Sequence, residues 1–117
     1  LNTLLKKSDF VIFSVPLSNK TKNLLNNKNA KYLKTHSILI NISRGGVINE
    51  DVLYMLLKKN KIFAAATDVF LNEKKQNKLF KLKNIIVSPH IGAMTFDAQK
   101  ILAEKTFEKI KKLVDRS

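Results

Sequence analysis

The chain contains no cysteine, and only three glycines, two prolines and nine acidic residues among its 117 residues. Without cysteine, neither a disulfide framework nor a thiolate metal site can form. The two histidines, His36 and His90, are too far apart in sequence to show the spacing of a metal site. No apolar run approaches the roughly 18 residues that a membrane span needs, and no signal-peptide pattern is present. We therefore expect a cytoplasmic domain that binds neither metal nor membrane.

The formal net charge of +13 is the feature that most suggests a nucleic-acid-binding protein. However, 20 of the 22 basic residues are lysine, whereas reading base edges and gripping phosphates favour arginine. No set of aromatic residues alternates with the basic ones to stack bases. A Lys- and Asn-rich composition on a solvated surface explains the charge, although a basic nucleic-acid-binding module remains an alternative at this point.

The few glycines and prolines are clustered in the sequence. All three glycines, both prolines and Arg44 fall just after three short apolar runs, at residues 10–13, 38–42 and 85–87. Each run indicates a buried strand whose carboxyl end opens into a loop. In open α/β sheets, ligands bind at those carboxyl ends.

Strands and helices alternate along the chain. We predict four strands and three helices, and the first residues of the chain are typical of the end of a further helix. Because the chain begins in this way, with Leu1 as its first residue, we expect it to be a fragment. The strands are Asp9–Val15, Ile38–Ile42, Ile62–Phe70 and Ile85–Ser88, and the helices lie near Asn29–Leu33, after the N-cap Asn49, and from about Thr95. The last helix is expected to bury Ile101, Leu102, Phe107, Ile110, Leu113 and Val114. This alternation predicts an α/β fold with a doubly wound parallel sheet.

Four side chains at strand ends could carry chemistry. The guanidinium of Arg44 can hold a carboxylate through two parallel hydrogen bonds, and the adjacent Gly45 permits a close backbone approach. His90 follows the fourth strand and can exchange a proton near neutral pH. Glu73 follows the third strand and could reach His90, where it would favour the protonated imidazole and fix its tautomer. Asp68, at the end of an apolar strand, needs either a backbone donor or a ligand amide.

Together these residues form four motifs in a specific order. The motifs are Ser8-Asp9-Phe10-Val11 through Ser14-Val15-Pro16-Leu17 with Thr21, Leu39 through Ile48 including Ser43-Arg44-Gly45-Gly46, Ala65-Ala66-Thr67-Asp68-Val69-Phe70 with Glu73, and Ser88-Pro89-His90-Ile91-Gly92-Ala93 with Thr95. Over nearly its whole length the chain resembles the D-isomer-specific 2-hydroxyacid dehydrogenases.

The resemblance implies roles for particular residues. Arg44 would bind the substrate's carboxylate and carbonyl, His90 would be the general acid/base, and Glu73 would pair with His90. The cofactor would be NAD, with NADP left open. It would be contacted on its adenosine and phosphate side by Val15, Pro16 and Thr21, and on its nicotinamide side by Ile42, Ser43, Asp68, His90 and Gly92.

The resemblance also implies how the chain is organised. Residues 1–94 would be the second half of a Rossmann-type NAD-binding domain, and residues 95–117 a helix that returns toward a substrate domain. The Gly-x-Gly-x-x-Gly phosphate-binding turn is absent from the 117 residues. The whole protein would be a homodimer or homotetramer that acts on a small 2-hydroxy or 2-oxo acid, with 3-phosphoglycerate and serine biosynthesis as one candidate context. A non-catalytic relative that senses dinucleotides, such as a corepressor, is the other alternative.

Overall fold

The structure is a computed structural model, and it describes residues 1–73 and 76–115. Four strands alternate with helices along the chain. The elements are α1 (Asn2–Lys7), β1 (Phe10–Phe13), a 3-10 turn (Ala30–Tyr32), β2 (Ile38–Asn41), α2 (Glu50–Lys58), β3 (Ala64–Thr67), a second 3-10 turn (Lys78–Lys81), β4 (Ile85–Val87) and α3 (Phe96–Val114).

The four strands form one parallel sheet in the order β1-β2-β3-β4. Residue 10 aligns with residue 38, and residue 38 aligns with residue 64, so the strand ends are level with one another. All four carboxyl ends therefore meet at one edge of the sheet. The predicted α/β parallel architecture is confirmed.

One face of the sheet carries the core. Side chains alternate along a strand, and those on this face pack against α1 and α2. The core comprises Leu5, Val11, Phe13, Leu25, Leu39, Val47, Ile48, Leu53, Leu57, Ile62, Ala65, Phe70 and Leu79.

The opposite face of the sheet differs from the prediction of fully buried strands. Phe10 is 65% exposed and Ile12 is 59% exposed. A continuous apolar run indicates that both faces of a strand need cover, but it does not show that both covering layers lie within the same 117 residues.

Helix α2 begins as the sequence predicts. The side chain of Asn49 accepts a hydrogen bond from the N–H of Val52 at 3.1 Å, which caps the first turn. Two acidic residues, Glu50 and Asp51, occupy that turn, where the helix dipole favours negative charge. The cap and dipole thus place α2 directly after the glycine turn that follows β2.

The third strand is shorter than predicted. Regular pairing covers Ala64–Thr67 and not the whole apolar run from residue 62 to residue 70. Beyond Thr67 the chain turns, and the Thr67 hydroxyl donates to the carbonyl of Val69 at 2.7 Å. Most of this apolar run is buried, although Phe63 is 67% exposed, and the strand pairing ends within the run, next to this side-chain hydrogen bond.

The prediction of a buried face on the last helix is wrong for this chain. The six apolar residues named for that face are between 51% and 70% exposed, and no described residue of α3 is buried. An amphipathic pattern records that a face needs a partner, but not that the partner lies in the same segment. None of the helices in the described part of the chain is long and apolar enough to cross a bilayer.

Candidate active site

The turn after β2 is shaped by Asn41, a buried side chain at the end of the strand. Its Oδ1 accepts hydrogen bonds from the N–H and the hydroxyl of Ser43 at 3.1 and 2.9 Å, and its Nδ2 donates to the carbonyl of Arg44 at 3.1 Å. This turn leaves the Arg44 side chain exposed, with Nη1 donating to the carbonyl of Ser43 at 2.7 Å. The guanidinium therefore stands at the carboxyl edge of the sheet, where it can meet an anion.

Gly45 brings this turn against the loop that follows the third strand. A Cβ at this position would lie 2.0 Å from the carbonyl oxygen of Phe70, which no side chain could tolerate. The glycine permits the backbones of the two loops to touch. The Arg44 turn and the loop that leads to Glu73 are thereby packed together.

An open cleft lies at the carboxyl ends of β1 and β2. Its volume is about 510 Å³, and it is lined by Ser14, Val15, Pro16, Leu17, Ile42, Ser43 and Arg44. Four of the residues predicted to contact a cofactor line this cleft, namely Val15, Pro16, Ile42 and Ser43. Apolar side chains and the polar Ser14, Ser43 and Arg44 thus line the same cleft, a combination that is typical of ligand-binding sites.

Thr21 lies beside this cleft but uses its hydroxyl within the loop. The hydroxyl donates to the carbonyl of Pro16 at 2.6 Å and accepts from the N–H of Ser18 at 2.8 Å. The contact with Pro16 shapes the loop that forms one wall of the cleft. Thr21 thus stabilises the loop that lines the cleft without itself being one of the lining residues.

Asp68 is buried at the end of β3 and holds the loop that follows β4. Its Oδ1 accepts from the hydroxyl of Ser88 at 2.5 Å and from the N–H of Ile91 at 2.9 Å, and its Oδ2 accepts from the N–H of Gly92 at 2.8 Å. Burial raises the pKa of this carboxyl, but these three hydrogen bonds and the nearby His90 outweigh burial, so that its pKa lies below the ordinary value. Of the two partners predicted for Asp68, the structure shows the backbone donors.

His90 projects from the centre of the loop that Asp68 holds. Its backbone has a φ of +57°, an uncommon conformation for a residue with a side chain. The partners of Asp68 lie on both sides of His90 in sequence. The carboxylate therefore fixes the segment from which the imidazole projects.

The imidazole of His90 faces Glu73. The distance between Nδ1 of His90 and Oε1 of Glu73 is 2.7 Å, and the two side chains are 43% and 47% exposed. A carboxylate on Nδ1 leaves Nε2 as the nitrogen that can exchange a proton with a ligand. The arrangement can perform general acid/base chemistry.

An apolar pocket adjoins this pair. Phe70, Phe80, Val87 and Pro89 line it together with Glu73, Ser88 and His90. The Phe70 and Phe80 rings meet edge to face with centroids 5.1 Å apart. These rings form part of the apolar lining of the pocket beside the His90–Glu73 pair.

Two residues of this site were missed by sequence reasoning. Asn41 shapes the Arg44 turn, and an Asn at the end of an apolar run with a Ser two residues later is a signal for such a turn. Ser88 donates to Asp68, but nothing in the local sequence indicates a contact with a residue 20 positions earlier. The second arginine, Arg116, lies outside the described residues.

Fold and site together define a nucleotide-binding α/β domain with a histidine–carboxylate pair at the carboxyl edge of its sheet. Residues 1–92 match the family described as "D-isomer specific 2-hydroxyacid dehydrogenase, NAD binding domain". The chain belongs to this family, as its four motifs predict.

Three relatives are similar to this chain along most of its length. The chain is 43% identical over 115 residues to a D-3-phosphoglycerate dehydrogenase of Methanocaldococcus jannaschii, covering 97% of this chain and 22% of that protein. It is 45% identical over 103 residues to a glyoxylate reductase of Thermococcus litoralis, covering 87% of this chain and 31% of that protein. The D-lactate dehydrogenase of Aquifex aeolicus, solved with NAD and lactic acid, superposes with a TM-score of 0.85 at 27% identity, covering 97% of this chain and 39% of that one. The chain thus spans less than two fifths of the length of these relatives.

Proposed function

We propose that this chain carries the acid/base and substrate-orienting residues of an NAD-dependent dehydrogenase that interconverts a 2-hydroxy acid and a 2-oxo acid. The observation that carries the proposal is the 2.7 Å contact between His90 and Glu73 at the carboxyl edge of a parallel sheet. Membership of the D-isomer specific family supports it.

In this proposal His90 moves the proton. During oxidation its Nε2 accepts the proton of the substrate hydroxyl, and during reduction it returns that proton to the carbonyl oxygen. The Glu73 carboxylate on Nδ1 stabilises the imidazolium that forms. The left-handed backbone of residue 90, held by Asp68, keeps the ring in place.

Arg44 orients the substrate. Its guanidinium is the planar fork that matches a carboxylate, and it can also stabilise negative charge on the adjacent carbonyl oxygen. Gly45 packs against Phe70, so the loop that carries Arg44 lies directly against the start of the loop that carries Glu73. The substrate acid would therefore be held in a fixed relation to the acid/base pair.

The cleft at the ends of β1 and β2 fits part of a dinucleotide. Val15 and Pro16 would contact its adenosine and phosphate side, helped by the loop that Thr21 holds, and Ile42 and Ser43 would lie toward the nicotinamide. Asp68 and Gly92 would also lie on the nicotinamide side of the cofactor. One lone pair of the Asp68 carboxylate could accept a hydrogen bond from the nicotinamide amide. When bound, the nicotinamide accepts or donates the hydride.

The proposal extends to the rest of the protein. We place a domain boundary near residue 94, which the end of the family match at residue 92 and the start of α3 at Phe96 support. A homodimer or homotetramer in the cytoplasm is part of the same proposal. The substrate would be a small 2-hydroxy or 2-oxo acid, and the named relatives make 3-phosphoglycerate, glyoxylate and lactate the first to try.

The test uses the full-length protein and the absorbance of NADH. We expect NADH-dependent reduction of at least one small 2-oxo acid, and none by the His90→Ala variant, which should still bind NADH by fluorescence. The matched control is His36→Ala. His36 precedes β2 and pairs with Asp9, which precedes β1, so this pair lies at the opposite edge of the sheet from His90. A protein that binds NADH but turns over no 2-oxo acid, or a His90→Ala variant with normal turnover, would contradict the proposal.

A further inference from the structure

Glu50, the first residue of α2, binds the loop that carries Glu73. Its Oε1 accepts a hydrogen bond from the N–H of Leu71, and its Oε2 accepts one from Nδ2 of Asn77 at 2.7 Å. Leu71 and Asn77 lie on either side of Glu73 in sequence. Both oxygens of one carboxylate therefore anchor the two ends of this loop.

The contact with Asn77 requires an acceptor on residue 50. Oδ1 of Asn77 accepts from the N–H of Leu79 at 3.0 Å, which caps the second 3-10 turn. This bond orients the amide so that its NH₂ group faces Glu50. A carboxylate satisfies both the Leu71 N–H and the Asn77 NH₂, whereas a glutamine would satisfy only one of them.

The same segment of chain also carries Arg44. Gly45, immediately before Gly46, packs against the carbonyl of Phe70, and Glu50 binds the next residue, Leu71. The segment from residue 44 to residue 50 thus contacts both the C=O and the N–H of the peptide group that joins Phe70 to Leu71, at the start of the Glu73 loop.

We propose that Glu50 is a positioning residue that holds Glu73 against His90. This inference rests on the proposed function, because it concerns the same acid/base pair. Two carboxylates face His90, namely Glu73 on Nδ1 and the buried Asp68. Asp68 is held by its own donors, Ser88, Ile91 and Gly92, so losing the Glu50 anchor should release the Glu73 side alone.

A structural role in the helix is the simpler explanation of Glu50, because any acid in the first turn of α2 stabilises the helix. Asp51 separates the two explanations. It lies in the same turn, carries the same charge and pairs with Lys78, but it contacts neither Leu71 nor Asn77 through any hydrogen bond of the described residues. Asp51→Asn is therefore the matched control for Glu50→Gln.

The experiment uses the full-length enzyme and two readouts. One is the pH profile of kcat/KM for oxidation of the hydroxy acid, and the other is the NMR titration of the His90 ring without substrate. Glu73→Gln should move the acidic limb and the ring titration to lower pH, because it removes the charge that stabilises the imidazolium. Glu50→Gln should move both in the same direction by about half as much, with kcat/KM lower by about three- to tenfold. Asp51→Asn should move neither.

A second substitution provides a rescue. In the double variant E50Q/N77D, the carboxylate at position 77 can accept from the Leu79 N–H with one oxygen. Its other oxygen can accept from the side-chain NH₂ introduced at position 50, so that every donor again has an acceptor. We expect the double variant to regain the wild-type pH profile and thermal stability. N77D alone should not, because it places two carboxylates together.

Three results would overturn the inference while leaving the proposed function intact. They are a shift with Glu73→Gln but none with Glu50→Gln, equal shifts with Glu50→Gln and Asp51→Asn, and a folded E50Q/N77D variant whose pH profile is not restored. If Glu73→Gln itself left the ring titration unmoved, the His90–Glu73 pair of the proposed function would fail instead.

Discussion

A Cβ on residue 45 would lie 2.0 Å from the carbonyl oxygen of Phe70, so the glycine turn after β2 is in direct backbone contact with the loop that follows β3. This contact joins the loop of Arg44 to the loop of Glu73. Close packing therefore explains why a glycine follows Arg44. A side chain at position 45 would disturb both the fold and the arrangement of the site residues.

Gly45→Ala should destabilise the full-length protein by on the order of 3 kcal/mol, because the added methyl group meets backbone atoms that cannot rotate away. Differential scanning calorimetry would measure this loss. Met55→Ala, an exposed position on α2, is the control and should change the melting temperature little. A Gly45→Ala variant that melts with the wild type would mean that the two loops are farther apart than the structure shows.

Arg44→Lys should keep the fold but lower kcat/KM by on the order of a hundredfold, since a two-point contact with a carboxylate becomes a single point charge. Steady-state kinetics with the preferred oxo acid would measure this. Lys28→Ala, which removes an exposed cation elsewhere, is the control. Near-normal turnover by the lysine variant would remove Arg44 from the substrate site.

Glu73→Gln should shift the acidic limb of the pH profile for oxidation to lower pH, because the imidazolium of His90 loses its charged partner. NADH production measured across pH in the full-length enzyme tests this. The exposed Glu108→Gln on α3 is a control of equal charge change. If the profile did not move, another carboxylate would have to partner His90.

Asp68→Asn should lower the stability at neutral pH by about 1–3 kcal/mol, because its two oxygens both accept N–H bonds and an amide would present a donor to one of them. Burial raises the pKa of Asp68, but its hydrogen bonds from Ser88, Ile91 and Gly92 together with His90 outweigh burial and lower the pKa in the folded state. Its stabilising contribution is therefore complete above the ordinary value of about 4, and it is lost as the pH falls through the lower folded value.

Urea unfolding from neutral pH down to about pH 2 would measure this dependence. The wild type should lose more stability over the acidic range than the Asp68→Asn variant, and the two curves should converge at the lowest pH. Asp115→Asn, exposed at the end of α3, is the control. Parallel curves for wild type and Asp68→Asn would mean that Asp68 titrates alike in the folded and unfolded states.

The 117-residue polypeptide, prepared by itself, should neither bind NAD measurably nor transfer hydride, although it contains Arg44, Glu73 and His90. No glycine-rich turn is present in it to hold the pyrophosphate on a helix N-terminus. In the described residues β1 is an edge strand, and the exposed Phe10 and Ile12 favour association. Calorimetry with NAD and sedimentation test both points, and a monomer with micromolar affinity for NAD would contradict them.

Local pattern predicted much of this fold. Apolar runs located all four strands, and the Asn49 cap with two following acids located the start of α2 to the residue. The end of β3 was missed, because a hydrogen bond from Thr67 to Val69 stops the ladder within an apolar run. The prediction of α3 as a helix is confirmed, but the prediction that one of its faces is buried is wrong. Periodicity follows from the helix's own sequence, whereas burial also requires another element packed against the apolar face.

The sequence by itself determined the family, the parallel α/β architecture and the identity of the polar residues at strand ends, because these follow from hydrophobic period, from glycine and proline positions and from the chemistry of each side chain. Sequence reasoning also predicted that Glu73 could reach His90 and that Asp68 needs a partner, but only the tertiary structure decided which atoms meet and which other residues take part. In the structure Oε1 of Glu73 contacts Nδ1 of His90. The carboxylate of Asp68 accepts hydrogen bonds from the N–H groups of Ile91 and Gly92. The carboxylate of Glu50 accepts hydrogen bonds from both ends of the Glu73 loop. These contacts join residues 17 to 27 positions apart, and their partners are chosen by the register of the sheet and the packing of its loops rather than by any local pattern.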